Sequence, residues 1–234
     1  MAALDVVMHV HSDWSYDGSW PLASLARLFK RAGADLVLMT EHEDTFDEDR
    51  FEDYRQACAE ASAGGTILVP GIEYASPDNS VHILSWGLRR FHGKRRPVME
   101  ILEGIAEEGG FAVLAHPMRR AAWQQYRDEW APHLGAIEVW NRKADRFRAN
   151  DISWELKRRS GLPAVVGMDF HRVKQLFPLH NRLTLPSGFG PQDIPNRIGE
   201  ILHGAAGGGL LEARAFGLAL REPHKAGGIE TRTA

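Results

Sequence analysis

Apolar and polar positions alternate along the chain in two distinct patterns. Short, nearly continuous apolar runs predict β-strands, and longer segments with apolar residues at helical spacing predict α-helices. In the first helix we expect Ser19 as the N-cap, Pro21 in the first turn and Gly33 at the end. The predicted strands cover residues 4–11, 35–42, 66–75, 81–88, 111–117, 135–141, 163–171 and 181–186. The predicted helices cover residues 19–34, 47–65, 96–110, 151–161 and 191–209.

The repeated alternation of strands and helices predicts an α/β fold, either a βα barrel or a related wound sheet. Several strands are apolar throughout, which is typical of parallel strands covered on both faces. No segment has the composition of a linker, so we expect residues 1–222 to form a single domain. Residues 223–234 are expected to be a weakly ordered tail.

Composition narrows the classes of partner and compartment. Of 234 residues, 44% are hydrophobic and 25% are charged, as in ordinary globular proteins. A net charge of −3 and a pI near 6.4 offer no positive field for long nucleic acid or anionic lipid. The single Cys58 fits a reducing compartment. Because polar residues interrupt the first apolar run and no run is long enough to cross a membrane, we expect a cytoplasmic protein without a signal peptide.

Side chains that can bind metal recur at the ends of the predicted strands. His9 and His11 lie two residues apart, so an extended strand would point both to one face. Alone, this pair is as compatible with two hydrogen-bonded histidines as with metal ligands. His82 lies early in its strand, but the other candidates follow strand ends, which converge at the active-site mouth of a βα barrel. The series therefore predicts a polynuclear metal site. Its later members at strand ends are Glu41, His42, Glu73, His116, Asp169 and His171.

The segments that carry these residues read HVHSDWSYDG, TEH, GIEY, VH, AHP and GMDFH in chain order. Together they resemble the PHP (polymerase and histidinol phosphatase) family, in register from about residue 7 to residue 172. The resemblance implies a distorted βα barrel of about seven strands, with up to three divalent metal ions at the C-terminal strand ends. By position it implies three ligand sets, with Glu73 shared by the first two: His9, His11, Glu73 and Asp169; Glu73, His82 and His116; and Asp17, His42 and His171. Some members of the family have histidine where Asp17 stands, which leaves the metal preference of the third set open.

Imidazole and carboxylate ligands suit zinc, manganese or iron and leave coordination positions for water and substrate. Two such ions lower the pKa of a water between them and generate a hydroxide that can attack phosphorus in line. We therefore expect a hydrolase that cleaves a phosphate ester of a small metabolite or short nucleotide. Two to three Mn, Fe or Zn ions would serve as cofactors, with Glu73 and Asp169 as the catalytic carboxylates.

Basic residues follow several predicted strands, where arginine could bind a phosphate bidentately. Arg119 and Arg120 follow AHPM, and Arg142 follows EVWN. We predict that these arginines contact the substrate, and for each of them a solvated loop charge is the alternative.

Two other functions stay open at this point. A binuclear amidohydrolase-type enzyme for C–N or C–O bonds also uses an HxH strand, but it gives no reason for the third ligand set. A non-catalytic PHP module would bind metal without turnover.

Overall fold

The computed structural model describes residues 2–222, so the tail expected at 223–234 lies outside the described residues. The described chain contains five α-helices and twelve β-strands. The helices are α1 (Leu22–Arg31), α2 (Glu48–Ser62), α3 (Val98–Glu107), α4 (Asp151–Ser160) and α5 (Ile194–Gly207). The strands are β1 (Ala3–Val10), β2 (Leu36–Met39), β3 (Glu41–His42), β4 (Ile67–Val69), β5 (Gly71–Ala75), β6 (His82–Trp86), β7 (Phe111–Leu114), β8 (Ala136–Asn141), β9 (Ala164–Gly167), β10 (Leu179–Thr184), β11 (Leu211–Ala215) and β12 (Leu218–Ala219).

The strands form two six-stranded sheets, ordered β12-β11-β10-β1-β2-β4 and β3-β5-β6-β7-β8-β9. Strands β1, β2 and β4 run parallel, as do β7, β8 and β9, whereas β10 and β6 are antiparallel to their neighbours. A bridge between Val10 and Phe170 connects the first sheet to the chain that follows β9. The α/β class is confirmed, while a closed barrel of about seven strands stays a prediction.

Two predicted strands are each split into two. Residues 35–42 form β2 and β3, and residues 66–75 form β4 and β5. In each case the second piece belongs to the other sheet. Pro70, which cannot donate to a strand ladder, marks one of the breaks. The breaks therefore carry His42 and Glu73 into the second sheet.

The first helix begins later than its sequence predicts. Pro21, not Ser19, is the N-cap of α1, and the Ser19 hydroxyl instead donates to the backbone oxygen of His171 at 3.3 Å. The prediction that Ser19 caps this helix is wrong, since the hydroxyl is used to attach the loop before the helix to another strand end.

The antiparallel pair of β11 and β12 was not predicted. Phe216 and Gly217 join the two strands with positive φ values of 52° and 76°, as a tight hairpin turn requires.

The parallel strands are buried on both faces. On β1, Val6 and Met8 belong to an apolar cluster that includes α5, whereas Val7 and Val10 belong to a cluster that includes α1, α2 and α3. Complete burial of one such side chain stabilises the fold by roughly 1.5–3 kcal/mol. This double burial explains why β1 is apolar from Val6 to Met8, where it reaches His9. Among the described residues, no helix has the length and apolarity needed to span a membrane.

Candidate metal centre

Glu73, on β5, lies at the centre of a cluster of histidines. Its side chain is almost fully buried, and five imidazole rings approach its two carboxylate oxygens. The closest nitrogen atoms lie 3.6 Å (His9 Nε2), 3.4 Å (His11 Nε2), 3.1 Å (His42 Nδ1), 2.5 Å (His82 Nδ1) and 2.9 Å (His116 Nε2) from a carboxylate oxygen. The structure thus brings together residues from β1, β3, β5, β6 and the end of β7.

The remaining predicted ligands adjoin the same cluster. Asp169 Oδ1 lies 3.8 Å from the Nε2 atoms of both His9 and His11. Asp17 places one carboxylate oxygen 3.3 Å from His42 Nε2 and the other 3.1 Å from His171 Nε2. All nine predicted metal residues are therefore neighbours in space, although they come from distant parts of the chain.

The donor atoms form three compact groups that differ in part from the predicted sets. Within each group the candidate ligand atoms lie within 4.8 Å of one another. The groups are His9, Glu73 and His116; His9, His11 and Asp169; and His11, His42 and His171. His11 thus also approaches the third set, whereas His82 directs Nδ1 at Glu73 and Nε2 at Asn79 Oδ1, 2.8 Å away. The assignment of each residue to a particular metal stays a prediction.

Four buried polar atoms of this cluster lack a hydrogen-bond partner among the described residues: His9 Nε2, His11 Nε2, Asp17 Oδ1 and His116 Nδ1. An unsatisfied buried polar atom costs about 1–3 kcal/mol, so four of them in one place require an explanation. Imidazole nitrogen and carboxylate oxygen are the donors that zinc, manganese and iron prefer. The residues present therefore fit a divalent metal centre.

Three residues of the cluster have an unusual backbone conformation, which sets the direction of their side chains. His9, His116 and Asp169 have positive φ values of 65°, 25° and 47°. Non-glycine residues adopt this region at a cost of order 1–3 kcal/mol and most often at functional sites. His9 also coincides with a shift in the register between β1 and β2, so the strand is not regularly extended there. The His9 and His11 ring centroids lie 5.3 Å apart, on one side as expected, but a bulge rather than simple alternation produces this arrangement.

Glu138, which the sequence reasoning missed, holds two of the histidine segments. Its Oε1 accepts from His9 Nδ1 at 2.8 Å, and its Oε2 accepts from the His116 backbone N–H at 2.7 Å. With Nδ1 donating, His9 keeps its Nε2 lone pair for the cluster. A Cβ on Gly167 would lie 1.7 Å from Glu138 Oε1, so only glycine leaves room for this carboxylate. The sequence did contain a signal for Glu138, since a carboxylate inside the apolar run AIEVW must be buried and therefore needs partners.

A second buried carboxylate orients His11. Glu41 accepts hydrogen bonds from the hydroxyls of Ser12 at 2.6 Å and Ser15 at 2.5 Å. Since Ser15 donates to Glu41, its oxygen accepts from His11 Nδ1 at 3.3 Å and from the His42 backbone N–H at 2.9 Å. Burial raises the pKa of Glu41 despite these hydrogen bonds. The motif HSDWS thus supplies both a ligand candidate and the hydroxyls that set its tautomer.

Opposite charges within the cluster shift its pKa values. Burial opposes ionisation of Glu73, but His82, His9 and His42 hold its pKa well below the usual range. Burial likewise opposes ionisation of Asp169, yet His9 and Lys143 lower its pKa to about 2. Burial lowers the pKa of His82 to about 4. The carboxylates are therefore ionised at neutral pH, as metal ligands must be.

Burial alone would lower the pKa of His42. Glu73 and Asp17 outweigh this effect and raise the pKa of His42 to about 10. In the absence of metal, a proton on this ring offsets the charge of the two carboxylates. A metal ion that took over this role would have to displace the proton, because a ligating imidazole nitrogen is deprotonated.

A cavity of about 690 Å³ adjoins Asp169, and three basic residues, Arg119, Lys143 and Arg148, line part of it. Arg119 also approaches the cluster directly, with one guanidinium nitrogen 2.7 Å from His82 Nε2. Three acidic residues, Asp145, Asp151 and Asp169, line it as well, so the cavity offers basic groups to an anionic ligand without carrying a net positive charge.

The other two predicted substrate contacts are directed elsewhere, and neither lines this cavity. Arg120 donates to the backbone oxygen of Asn79 at 2.9 Å. Arg142 stacks on Phe147 and Phe177, with its guanidinium carbon 4.4 and 4.9 Å from the ring centroids. In this structure Arg119 is therefore the predicted arginine best placed to meet a ligand, and the substrate-binding role of all three stays a prediction.

Comparisons with known proteins agree with this architecture. No protein-family model matches the chain, and no curated protein matches it in sequence. Among solved structures, a two-domain protein from Bacteroides vulgatus, described as containing a predicted PHP-like metal-dependent phosphoesterase, matches with a TM-score of 0.64 and 16% identity. The match covers 93% of this chain and 66% of that chain, so the present chain spans slightly less than two thirds of the larger protein.

Two further solved structures share the fold. An amidohydrolase from Chromobacterium violaceum matches with a TM-score of 0.55 and 18% identity, over 78% of this chain and 92% of the other. A lesion-specific endonuclease from Pyrococcus furiosus matches with a TM-score of 0.53 and 16% identity, over 86% of this chain and 56% of the other. At these identities the matches establish the fold. The resemblance read from the sequence motifs is confirmed at that level, since this chain has the fold of PHP-like phosphoesterases.

Proposed function

We propose that this chain, folded like the PHP-like phosphoesterases, is a metal-dependent hydrolase that cleaves a phosphate ester of a small metabolite or short nucleotide. The observation that carries the proposal is the convergence of nine histidine, aspartate and glutamate side chains, four of which have a buried polar atom without a hydrogen-bond partner among the described residues. Arg119 and Lys143 line the cavity beside them. The metal-binding residues alone suit several hydrolases. Arg119 and Lys143, which lie beside the cluster, favour a phosphorylated substrate over a neutral amide or ester, because each could bind a phosphate oxygen.

The residues that would hold metal are those predicted from the sequence: His9, His11, Asp17, His42, Glu73, His82, His116, Asp169 and His171. Two to three manganese, iron or zinc ions are the expected cofactors. When bound, such ions would supply Lewis-acid stabilisation of negative charge at phosphorus and activate water for attack. Glu73 would be the shared ligand, because imidazoles surround both of its oxygens.

The chain's own residues provide orientation and charge. Glu138 and Ser15 accept hydrogen bonds from the Nδ1 atoms of His9 and His11. The Nε2 atoms of both rings are therefore directed into the cluster. Arg119 and Lys143 face the cavity and would bind the phosphate oxygens that do not react. The surrounding strands keep the cluster buried, which strengthens each of these electrostatic interactions.

The amidohydrolase of the same fold supports a second candidate, hydrolysis of a C–N or C–O bond. A parallel assay separates the two. Protein expressed with added manganese, iron or zinc is tested for phosphate release from p-nitrophenyl phosphate and a panel of phosphorylated metabolites and nucleotides. The same preparations are tested on N-acyl amino acids and lactones.

We expect phosphate release that depends on metal and that falls by at least about a thousandfold in Glu73→Ala. Glu155→Ala, on the exposed face of α4, is the control and should behave as the parent. Turnover of amides or lactones without phosphate release would support the second candidate. Metal binding without any turnover would support the non-catalytic module.

A further inference from the structure

Lys143 makes close contacts with two of the candidate metal ligands. Its Nζ lies 3.3 Å from Asp169 Oδ1 and 3.2 Å from His171 Nε2. The turn that carries it is anchored, because Asn141 Oδ1 accepts from the backbone N–H groups of Lys143 and Ala144 at 3.1 and 2.9 Å. The lysine side chain itself is 42% exposed and lines the cavity beside Asp169. Its base is therefore fixed, while its ammonium group has space to move.

The Nε2 atom of His171 lies between Lys143 and another residue of the centre. Nδ1 lies 3.0 Å from the backbone oxygen of Asp169, which can only accept, so Nδ1 donates. Nε2 lies 3.2 Å from Lys143 Nζ and 3.1 Å from Asp17 Oδ2. His171 also belongs to the compact group formed with His11 and His42. A metal ion bound to Nε2 would need the position beside this nitrogen that the ammonium group occupies.

We propose that Lys143 competes with metal for Asp169 and His171, and that metal binding expels its ammonium group into the adjacent cavity. Two positive charges a few ångströms apart repel each other, so a metal ion at His171 and the ammonium in its present position exclude each other. The cavity of about 690 Å³ has room for the displaced side chain. Lys143 therefore weakens metal binding at this side of the centre.

This inference rests on the metal centre of the proposed function, but it does not depend on the substrate. Its test is metal affinity. The parent, Lys143→Met and Lys143→Arg are stripped with a chelator, titrated with Mn²⁺ by calorimetry and analysed for bound manganese per chain. Lys174→Met is the matched control, since Lys174 is an exposed lysine on the nearby turn Val173–Gln175.

We expect the weakest manganese-binding step to tighten about tenfold in Lys143→Met, because the competing charge-assisted hydrogen bonds are gone. Lys143→Arg keeps the charge and should bind as weakly as the parent, and Lys174→Met should also match the parent. Thermal melting of each metal-free variant shows whether it is folded, and Lys143→Gln replaces Lys143→Met if that variant does not melt cooperatively.

Unchanged or weaker manganese binding in the folded neutral variant would overturn the inference. Tightening of equal size in Lys143→Arg would also overturn it, since charge would then not be the cause. A parent protein that binds no manganese, iron or zinc would instead refute the metal centre itself.

Discussion

Replacing Glu138 by glutamine keeps the size of the side chain and removes its negative charge. The carboxylate accepts three hydrogen bonds: from His9 Nδ1 at 2.8 Å, from the His116 backbone N–H at 2.7 Å and from Asn141 Nδ2 at 3.1 Å. Glutamine has one carbonyl oxygen and one NH₂ group. In either orientation its NH₂ group therefore faces a donor that the carboxylate had satisfied.

The two orientations have different consequences. If the NH₂ group faces the His116 N–H, a buried backbone donor loses its partner. If it faces His9, the ring can adapt only by moving its proton to Nε2, which removes the lone pair directed into the cluster. Loss of charge-assisted bonds to a residue that is 1% exposed should lower the free energy of unfolding by about 2–4 kcal/mol. Metal affinity should fall by about 10- to 100-fold.

Urea unfolding of the metal-free protein measures the first effect, and calorimetric titration with Mn²⁺ measures the second. Glu155→Gln, a neutralisation on the exposed face of α4, is the control and should match the parent in both assays. If Glu138→Gln matches the parent in stability and in metal affinity, the carboxylate does not position the histidines and the reasoning is wrong.

Three further outcomes test the geometry. Gly167→Ala should destabilise the protein by about 1–3 kcal/mol in thermal or urea unfolding, because the added methyl group would collide with Glu138. An unchanged unfolding midpoint would show that the space between Gly167 and Glu138 can accept a methyl group. Arg119→Ala should lower kcat/KM for the phosphorylated substrate by about 10- to 100-fold with bound metal unchanged; an equal loss of metal would show that Arg119 supports the centre instead. Asp17→Ala should reduce turnover less than Glu73→Ala does, because imidazoles surround Glu73 on all sides whereas Asp17 contacts only two; equal losses would contradict the central position of Glu73.

The clustering of these side chains was predictable because it depends on the order of strands more than on local detail. Residues at the C-terminal ends of parallel strands meet at one edge, so the sequence alone places His42, His116 and Asp169 near His9. The left-handed backbone at His9, His116 and Asp169 was not predictable. Only a few per cent of non-glycine residues adopt it, and although histidine and aspartate do so more often than most, the sequence does not mark which of them will.

The directions of long side chains were the least predictable feature. Arg119 and Arg142 both follow strands, yet Arg119 approaches His82 while Arg142 stacks on Phe147 and Phe177. Each of these side chains has several rotatable bonds, so its direction depends on neighbours distant in sequence. Glu138 could have been noticed as a carboxylate in an apolar strand, but its partners could not have been identified from the sequence.

The side chains of the cluster come from a long stretch of chain, between His9 and His171. We expect contacts between such distant residues to form late in folding, because the intervening chain must first be brought together. A metal ion that needs the finished cluster would therefore add little to the stability of the folding transition state. Its effect would fall on the unfolding rate, so that loading lengthens the lifetime of the native protein while refolding proceeds at the pace of the metal-free chain.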